Sequence, residues 1–213
     1  MKNKEALDFF HNMSEKSQDP KSVKLANSSD FSNMDADFIL KYADKHSIIL
    51  DLGSGTGLIV NKIYDKVGHI TAVEPFPAFT KFIVPSDHVT VVNKTFDEFE
   101  IECTDYDIIT IFGVMHYFNE EESVEIYDKF YPALKKGGKL IIKNQFGVHE
   151  DVVVDGYSEE QKSNYYAQYR FIDKEVRNLS NIGYNNITVV DIYPHECNRW
   201  ENTHFYAIVA EKQ

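Results

Sequence analysis

Along this chain, short apolar runs bounded by turn residues alternate with segments whose apolar positions recur three and four residues apart. The first pattern marks strands and the second marks helices. The runs predict seven strands, at residues 48–52, 69–74, 89–92, 105–112, 139–142, 187–192 and 205–209. The fourth ends in a continuous apolar run, as expected of a central strand covered on both faces. Between the strands, helical spacing appears at Leu58, Ile59, Val60 and Ile63, then in a short segment near residues 79–84 that follows Pro75 and Pro77. Asn119 with Glu120, Glu121 and Glu122 predicts a helix start, and Lys135-Lys136 before Gly137-Gly138 predicts its end, since acids and bases suit opposite ends of the helix dipole. Ahead of the first strand, Leu7, Phe9, Phe10 and Met13 predict a helix, followed by a polar loop through Asp19-Pro20 and Ser28-Ser29. A second helix, capped by Asp30 or Ser32, carries Phe38, Ile39 and Tyr42. Strands that alternate with helices imply an α/β, doubly wound, mostly parallel sheet.

The first strand ends in Asp51 and Leu52 and opens into Gly53-Ser54-Gly55-Thr56-Gly57. Glycines there permit positive φ and let backbone groups approach a ligand without an intervening Cβ. A tight turn that only closes the core is the plain alternative. A dinucleotide fingerprint needs a third glycine where this chain has Leu58, which argues against NAD. In an open α/β sheet the loops at the carboxyl ends of the strands converge on one crevice, so these residues mark the expected ligand site.

Length and charge narrow the setting. With 213 residues the chain suits a single α/β domain. A net charge of −12 disfavours nucleic-acid or anionic-membrane partners, which need a basic surface. No apolar stretch approaches the ~20 residues of a membrane span. Cys103 and Cys197 form no disulfide framework, and the polar start Met1-Lys2-Asn3-Lys4 does not resemble a signal sequence, so a cytoplasmic location is expected. Monomer and homodimer are both compatible with the sequence.

The run LDLGSGTG at residues 50–57 resembles the first motif of the class I S-adenosylmethionine (SAM) methyltransferases. The alternating strand that ends in Glu74 resembles that family's ribose-binding second strand. The resemblance implies a three-layer fold with seven strands in the order 3-2-1-4-5-7-6, the seventh antiparallel. It further implies an N-terminal helical cap at residues 1–45, a SAM-binding core at 46–145, an insertion with a helix at 146–182 and closing strands at 183–213. Carried over, Asp51, Gly53, Ser54 and Gly55 would hold the methionine half of SAM, and Glu74 the ribose. Many relatives have an acid after the third strand to receive the adenine amino group. Here Thr95 aligns best, with Phe96 offering a backbone N–H and Asp97 as a less well-aligned substitute. The segment Phe112-Gly113-Val114-Met115-His116-Tyr117-Phe118 looks like the one that lies under the reactive methyl in small-molecule members, which makes Phe112 a cofactor contact and His116 the catalytic candidate. His116 is either a general base or a residue that closes the strand end against the cofactor. In such families the N-terminal helices often cover the site, so Phe9, Phe10 and Met13 form either a lid or ordinary core.

Candidate acceptor contacts are Tyr117, Asn144, Gln145, Tyr165, Tyr169 and Arg170. Ser158 and Gln161 make a possible capping box, which would place Tyr165 with Tyr169, and Tyr166 with Arg170, along one helix. That helix either determines the substrate or is a solvated helix with an aromatic stripe. The segment from Pro194 to His204 gathers His195, Glu196, Cys197, Asn198, Arg199, Trp200, Glu201 and His204, but its spacing matches no zinc pattern, so no metal is expected. The function implied is SAM-dependent methyl transfer to a small polar metabolite by in-line displacement, with S-adenosylhomocysteine as product. O-methylation of a sugar, nucleotide sugar or phosphorylated compound leads. N-methylation of a small amine, and a non-catalytic SAM-binding or partner-binding protein on the same scaffold, stay open, with NAD-dependent oxidoreduction a third class.

Overall fold

A computed structural model describes residues 4–23, 30–102, 104–158, 163–197 and 201–213. Seven strands form the central sheet: β1 (Ile48–Leu52), β2 (His69–Val73), β3 (Val89–Val92), β4 (Tyr106–Phe112), β5 (Leu134–Gly147), β8 (Tyr184–Asp191) and β9 (Thr203–Lys212). Their spatial order is β3-β2-β1-β4-β5-β9-β8. The first five run parallel, and β9 lies antiparallel between β5 and β8. That is the predicted order once two added strands, β6 (Val152–Ser158) and β7 (Ser163–Tyr169), are counted.

Strand side chains alternate between faces, and the two faces carry separate apolar clusters. Leu50, Leu52, Ile109, Ile111, Leu140 and Ile142 pack on one side against α5 (Glu120–Phe130) and α6 (Ile172–Ile182). Ile49, Ile108 and Ile141 pack on the other against α2 (Ser32–Ile39) and α3 (Val60–Ile63). The remaining helices, α1 (Lys4–Lys16) and α4 (Pro77–Thr80), contact each other beside the carboxyl ends of the strands.

Several boundaries differ from the sequence expectation. Asn119 starts α5 through a reciprocal capping box with Glu122, as the pattern implied. The helix stops at Phe130, because Pro132 cannot continue it, and Lys135 and Lys136 therefore lie in β5 instead of a helix end. Helix α2 has Phe31 at its cap with no side-chain bond. Asp30 instead accepts from the N–H and hydroxyl of Ser32 at 3.0 and 2.6 Å, and Tyr42 lies beyond the helix.

The main correction concerns the insertion. Tyr165, Tyr166 and Tyr169 lie on a strand, not a helix: β6 and β7 form an antiparallel hairpin with Val152 opposite Tyr169. Three consecutive valines followed by an aromatic-rich run suit a pleated ribbon better than a helix. Four is a multiple of the strand period, so Tyr165 and Tyr169 still share a face, and their hydroxyls meet at 3.0 Å. Gln161 of the expected capping box lies outside the described residues, as do Ser28-Ser29, Cys103, Asn198, Arg199 and Trp200.

Arg170, which follows β7, is 1% exposed. Its guanidinium forms a two-pronged pair with Glu175, at 2.9 and 2.7 Å, and donates to the carbonyls of Met115 and Phe118 at 2.8 and 2.7 Å. Tyr127 donates to the same Glu175 at 2.5 Å. Burial lowers the Arg170 pKa, but the adjacent Glu175 charge outweighs it and holds the guanidinium above its ordinary value. The pair thus ties α6 and the hairpin to the turn after β4. Removing one member of a buried pair leaves the other charge uncompensated. Glu175→Ala is expected to lower unfolding stability by about 3–5 kcal/mol in urea titrations, and Arg170→Met/Glu175→Leu to restore most of it; equal stability of Glu175→Ala and the native chain would remove this role.

Candidate functional site

At the end of β1 the chain turns sharply. The N–H groups of Gly53 and Ser54 both donate to the carbonyl of Val73, at 2.8 and 3.1 Å, which clamps the turn to the end of β2. Gly53 has φ +80° and lies so close to Val114 that a Cβ there would sit 2.6 Å from a methyl group. Only glycine meets both demands without strain. One residue past β2, the Glu74 carboxylate accepts from the N–H of Gly55 at 3.1 Å and of Phe76 at 3.2 Å. Asp51 accepts from the Thr110 hydroxyl at 2.6 Å.

These groups line a cavity of about 300 Å³ at the carboxyl ends of β1, β2 and β4. All of the predicted cofactor contacts, Asp51, Gly53, Ser54, Gly55, Glu74, Thr95, Phe96 and Phe112, lie in its wall. Asp97 does not, and the Thr95 hydroxyl donates to Glu98 at 3.0 Å. Both acids are buried. Desolvation pushes the Glu74 pKa up to about 7, the N–H groups of Phe76 and Gly55 oppose the rise, and the Asp51 charge adds to it. Desolvation likewise raises Asp51, against the hydroxyls of Thr110 and Ser54.

The donor set fits SAM. A carboxylate has about four lone-pair sites, and Glu74 gives two of them to backbone donors, so a ribose diol finds acceptors there. Acidic walls suit a ligand that carries a sulfonium and an ammonium.

The acceptor candidates divide. Tyr117 lines the cavity, and its ring meets Phe10 of α1 at 5.2 Å and Tyr165 at 6.4 Å, both edge-on. His116 lies behind that wall, its ring 4.0 Å from Tyr117 and 5.9 Å from Tyr169. Its Nδ1 is 2.9 Å from Asn144 Oδ1. The Asn144 amide nitrogen donates to the Gln145 carbonyl at 3.1 Å, which orients the amide oxygen toward the imidazole. With the amide in this orientation, Nδ1 is the donor to Asn144. Neither Asn144 nor Gln145 reaches the cavity wall, and Gln145 donates to Thr203 at 2.7 Å. Arg170 is likewise absent from the wall, its donors being turned to Glu175 and the turn after β4. Of the N-terminal lid candidates Phe10 lines the cavity, whereas Phe9 and Met13 do not.

Two charged wall residues escaped the sequence reading: Asp35 on α2 and Lys143 on β5, which pair at 3.3 Å. The available signal was an acid at a core-facing position of α2 and a lysine closing an apolar strand run. Among the described residues no group of three His, Cys, Asp or Glu side chains is arranged to hold a metal. His204 stacks on Tyr206 at 4.3 Å and lies 6.2 Å from His195. No helix among the described residues is long and apolar enough to cross a membrane.

The pH dependence of ligand binding follows from Glu74. Burial favours its neutral acid, whereas hydroxyl donors favour the carboxylate, so binding a ribose there must expel a proton below about pH 7. The affinity for S-adenosylhomocysteine, measured by calorimetry, should rise as the pH passes upward through about 7. Glu74→Gln should flatten that rise. The contribution of this group to folding stability is fully present below its ordinary value of 4.5 and is lost as the pH rises through about 7.

Comparison with known proteins agrees with this geometry. Residues 49–138 match the family described as Methyltransferase domain. An uncharacterized methyltransferase of Anoxybacillus flavithermus is 25% identical over 96 residues, 45% of each chain, so this chain matches less than half the length of that curated relative. A SAM-dependent methyltransferase structure from Leishmania major superposes with TM-score 0.74 at 16% identity, over 99% of this chain and 82% of that one. A phosphoethanolamine N-methyltransferase 2 structure from Haemonchus contortus, bound to phosphomonomethylethanolamine and S-adenosylhomocysteine, gives TM-score 0.66 at 15% identity, over 84% of this chain and 52% of that one. At these identities the structures bear on the fold alone.

Proposed function

We propose that this chain, whose residues 49–138 match the Methyltransferase domain family, is a class I SAM-dependent methyltransferase that methylates a small polar acceptor held between the glycine turn and the aromatic wall. The observation that carries this reading is the single cavity wall that joins the Gly53–Gly55 backbone and Glu74 to Tyr117 and Phe10. Bound SAM supplies an electrophilic methyl group on a sulfonium. Glu74 would hold the ribose, and Asp51 with the backbone of Gly53, Ser54 and Gly55 the methionine end. Thr95 and Phe96 would border the adenine, and Phe112 the reacting end.

Displacement at a methyl carbon is in-line, so much of the acceleration comes from fixing donor and acceptor at the right distance and angle. Rigid parts border that volume. Val114 packs against Gly53, and Arg170 grips the carbonyls on both sides of His116 and Tyr117. An alcohol acceptor must also lose its proton. His116, held at Nδ1 by Asn144, would take it by way of Tyr117, which stands between the imidazole and the cavity. An oxygen on a sugar, nucleotide sugar or phosphorylated metabolite is the leading acceptor class.

An amine is the second reading, favoured by the aromatic rings of Phe10, Tyr117 and Tyr165 beside a cavity with acidic walls. Incubation with methyl-labelled SAM and fractionated metabolites separates the two by the atom that acquires label. S-adenosylhomocysteine must form alongside the product. Tight SAM binding with no transfer to any fraction would favour a non-catalytic binding protein on this fold. With an active fraction in hand, His116→Ala should lower kcat roughly a hundredfold or more. Near-native turnover at every pH would leave alignment as the sufficient cause.

A further inference from the structure

The cavity wall contains three acids, Asp35, Asp51 and Glu74, and a single lysine, Lys143. Lys143 is 8% exposed and is fixed from three sides. Its Nζ lies 5.3 Å from the ring centre of Phe112, 5.4 Å from that of Tyr193 and 3.3 Å from Asp35 Oδ2. Tyr193 donates its hydroxyl to the other oxygen of Asp35 at 2.5 Å and stacks on Phe31, the residue that opens α2, at 4.5 Å between ring centres. The ammonium is thus held by groups from α2, β4 and the segment after β8.

A buried ion pair of this kind adds little stability over well-packed apolar side chains of the same volume. Its position in a ligand cavity gives it another use. An ammonium has three donors, and a ligand oxyanion that replaces water beside it gains a charge-assisted hydrogen bond in a low-dielectric site. Asp35 and Tyr193 hold Lys143 in place before any ligand arrives, so little ordering remains to be done on binding.

Resting on the reading of this cavity as the SAM and acceptor site, we infer that Lys143, held by Asp35 and Tyr193, is an oxyanion anchor that takes a carboxylate or phosphate oxygen of a bound ligand. That oxygen comes either from the methionine carboxylate of the cofactor or from an anionic group on the acceptor.

The sources separate in calorimetric titrations with S-adenosylhomocysteine and with 5′-methylthioadenosine, which lacks the amino-acid end, supplemented by phosphorus NMR of inorganic phosphate added to the S-adenosylhomocysteine-saturated protein. If the cofactor carboxylate is the partner, Lys143→Met weakens S-adenosylhomocysteine at least about tenfold and leaves methylthioadenosine unchanged. If the acceptor supplies the anion, both nucleosides bind as before and the line broadening of phosphate seen with the native protein is lost. Lys143→Arg should retain part of whichever interaction is lost. Asp35→Asn/Lys143→Met removes both charges, leaves no unpaired buried carboxylate, and should show the same ligand losses with a native melting curve. Unchanged S-adenosylhomocysteine affinity in the lysine variants, together with phosphate broadening that is either unchanged in them or not seen with the native protein, overturns the anchor. A native protein that binds neither nucleoside overturns the cofactor site itself, and the anchor with it.

Discussion

The turn at the end of β1 is the constraint on which the rest depends. Two consecutive N–H groups, those of Gly53 and Ser54, converge on the Val73 carbonyl, and a third, from Gly55, points at Glu74. The backbone thereby joins the ends of β1 and β2 and faces the cavity with main chain instead of side chains. A residue with a Cβ at position 53 would collide with Val114, on the turn after β4, so the same glycine also sets how closely that turn approaches. Glu74, buried at the same turn, has its pKa raised by desolvation and by the nearby Asp51 charge.

A second layer of order comes from ions that never touch the cavity. Arg170 and Glu175 are fully buried, and the guanidinium fork reaches the two carbonyls that flank His116 and Tyr117. A planar, always-charged group with several fixed donors can satisfy carboxylate and backbone together, which a lysine cannot. The insertion hairpin, through the residue that follows it, therefore fixes the turn that carries His116 and Tyr117. Sequence variation in that hairpin would be felt at the site through Tyr165 and Tyr169 without disturbing the sheet.

The parallel sheet was legible because each of its strands is an apolar run closed by turn residues, and because the glycine turn needs a backbone geometry few other residues allow. That these residues share one cavity wall was legible for the same reason: Asp51, Glu74 and Phe112 sit at or just past strand ends, where topology alone brings them together. The hairpin was not legible, since a spacing of four residues places Tyr165 and Tyr169 on one face of a helix or of a strand alike. Arg170 looked like a ligand for an anion because its partner, Glu175, lies in a helix whose packing no local pattern reports. Asp35 and Lys143 are far apart in the chain and meet only through the fold.

The most direct measurement of the central claim is a crystal structure of the protein grown with S-adenosylhomocysteine. The account predicts the ribose hydroxyls on Glu74 and the amino-acid end against the backbone of Gly53 to Gly55. A cofactor found in another part of the molecule, or a turn closed by its own side chains with the ligand excluded, would contradict it.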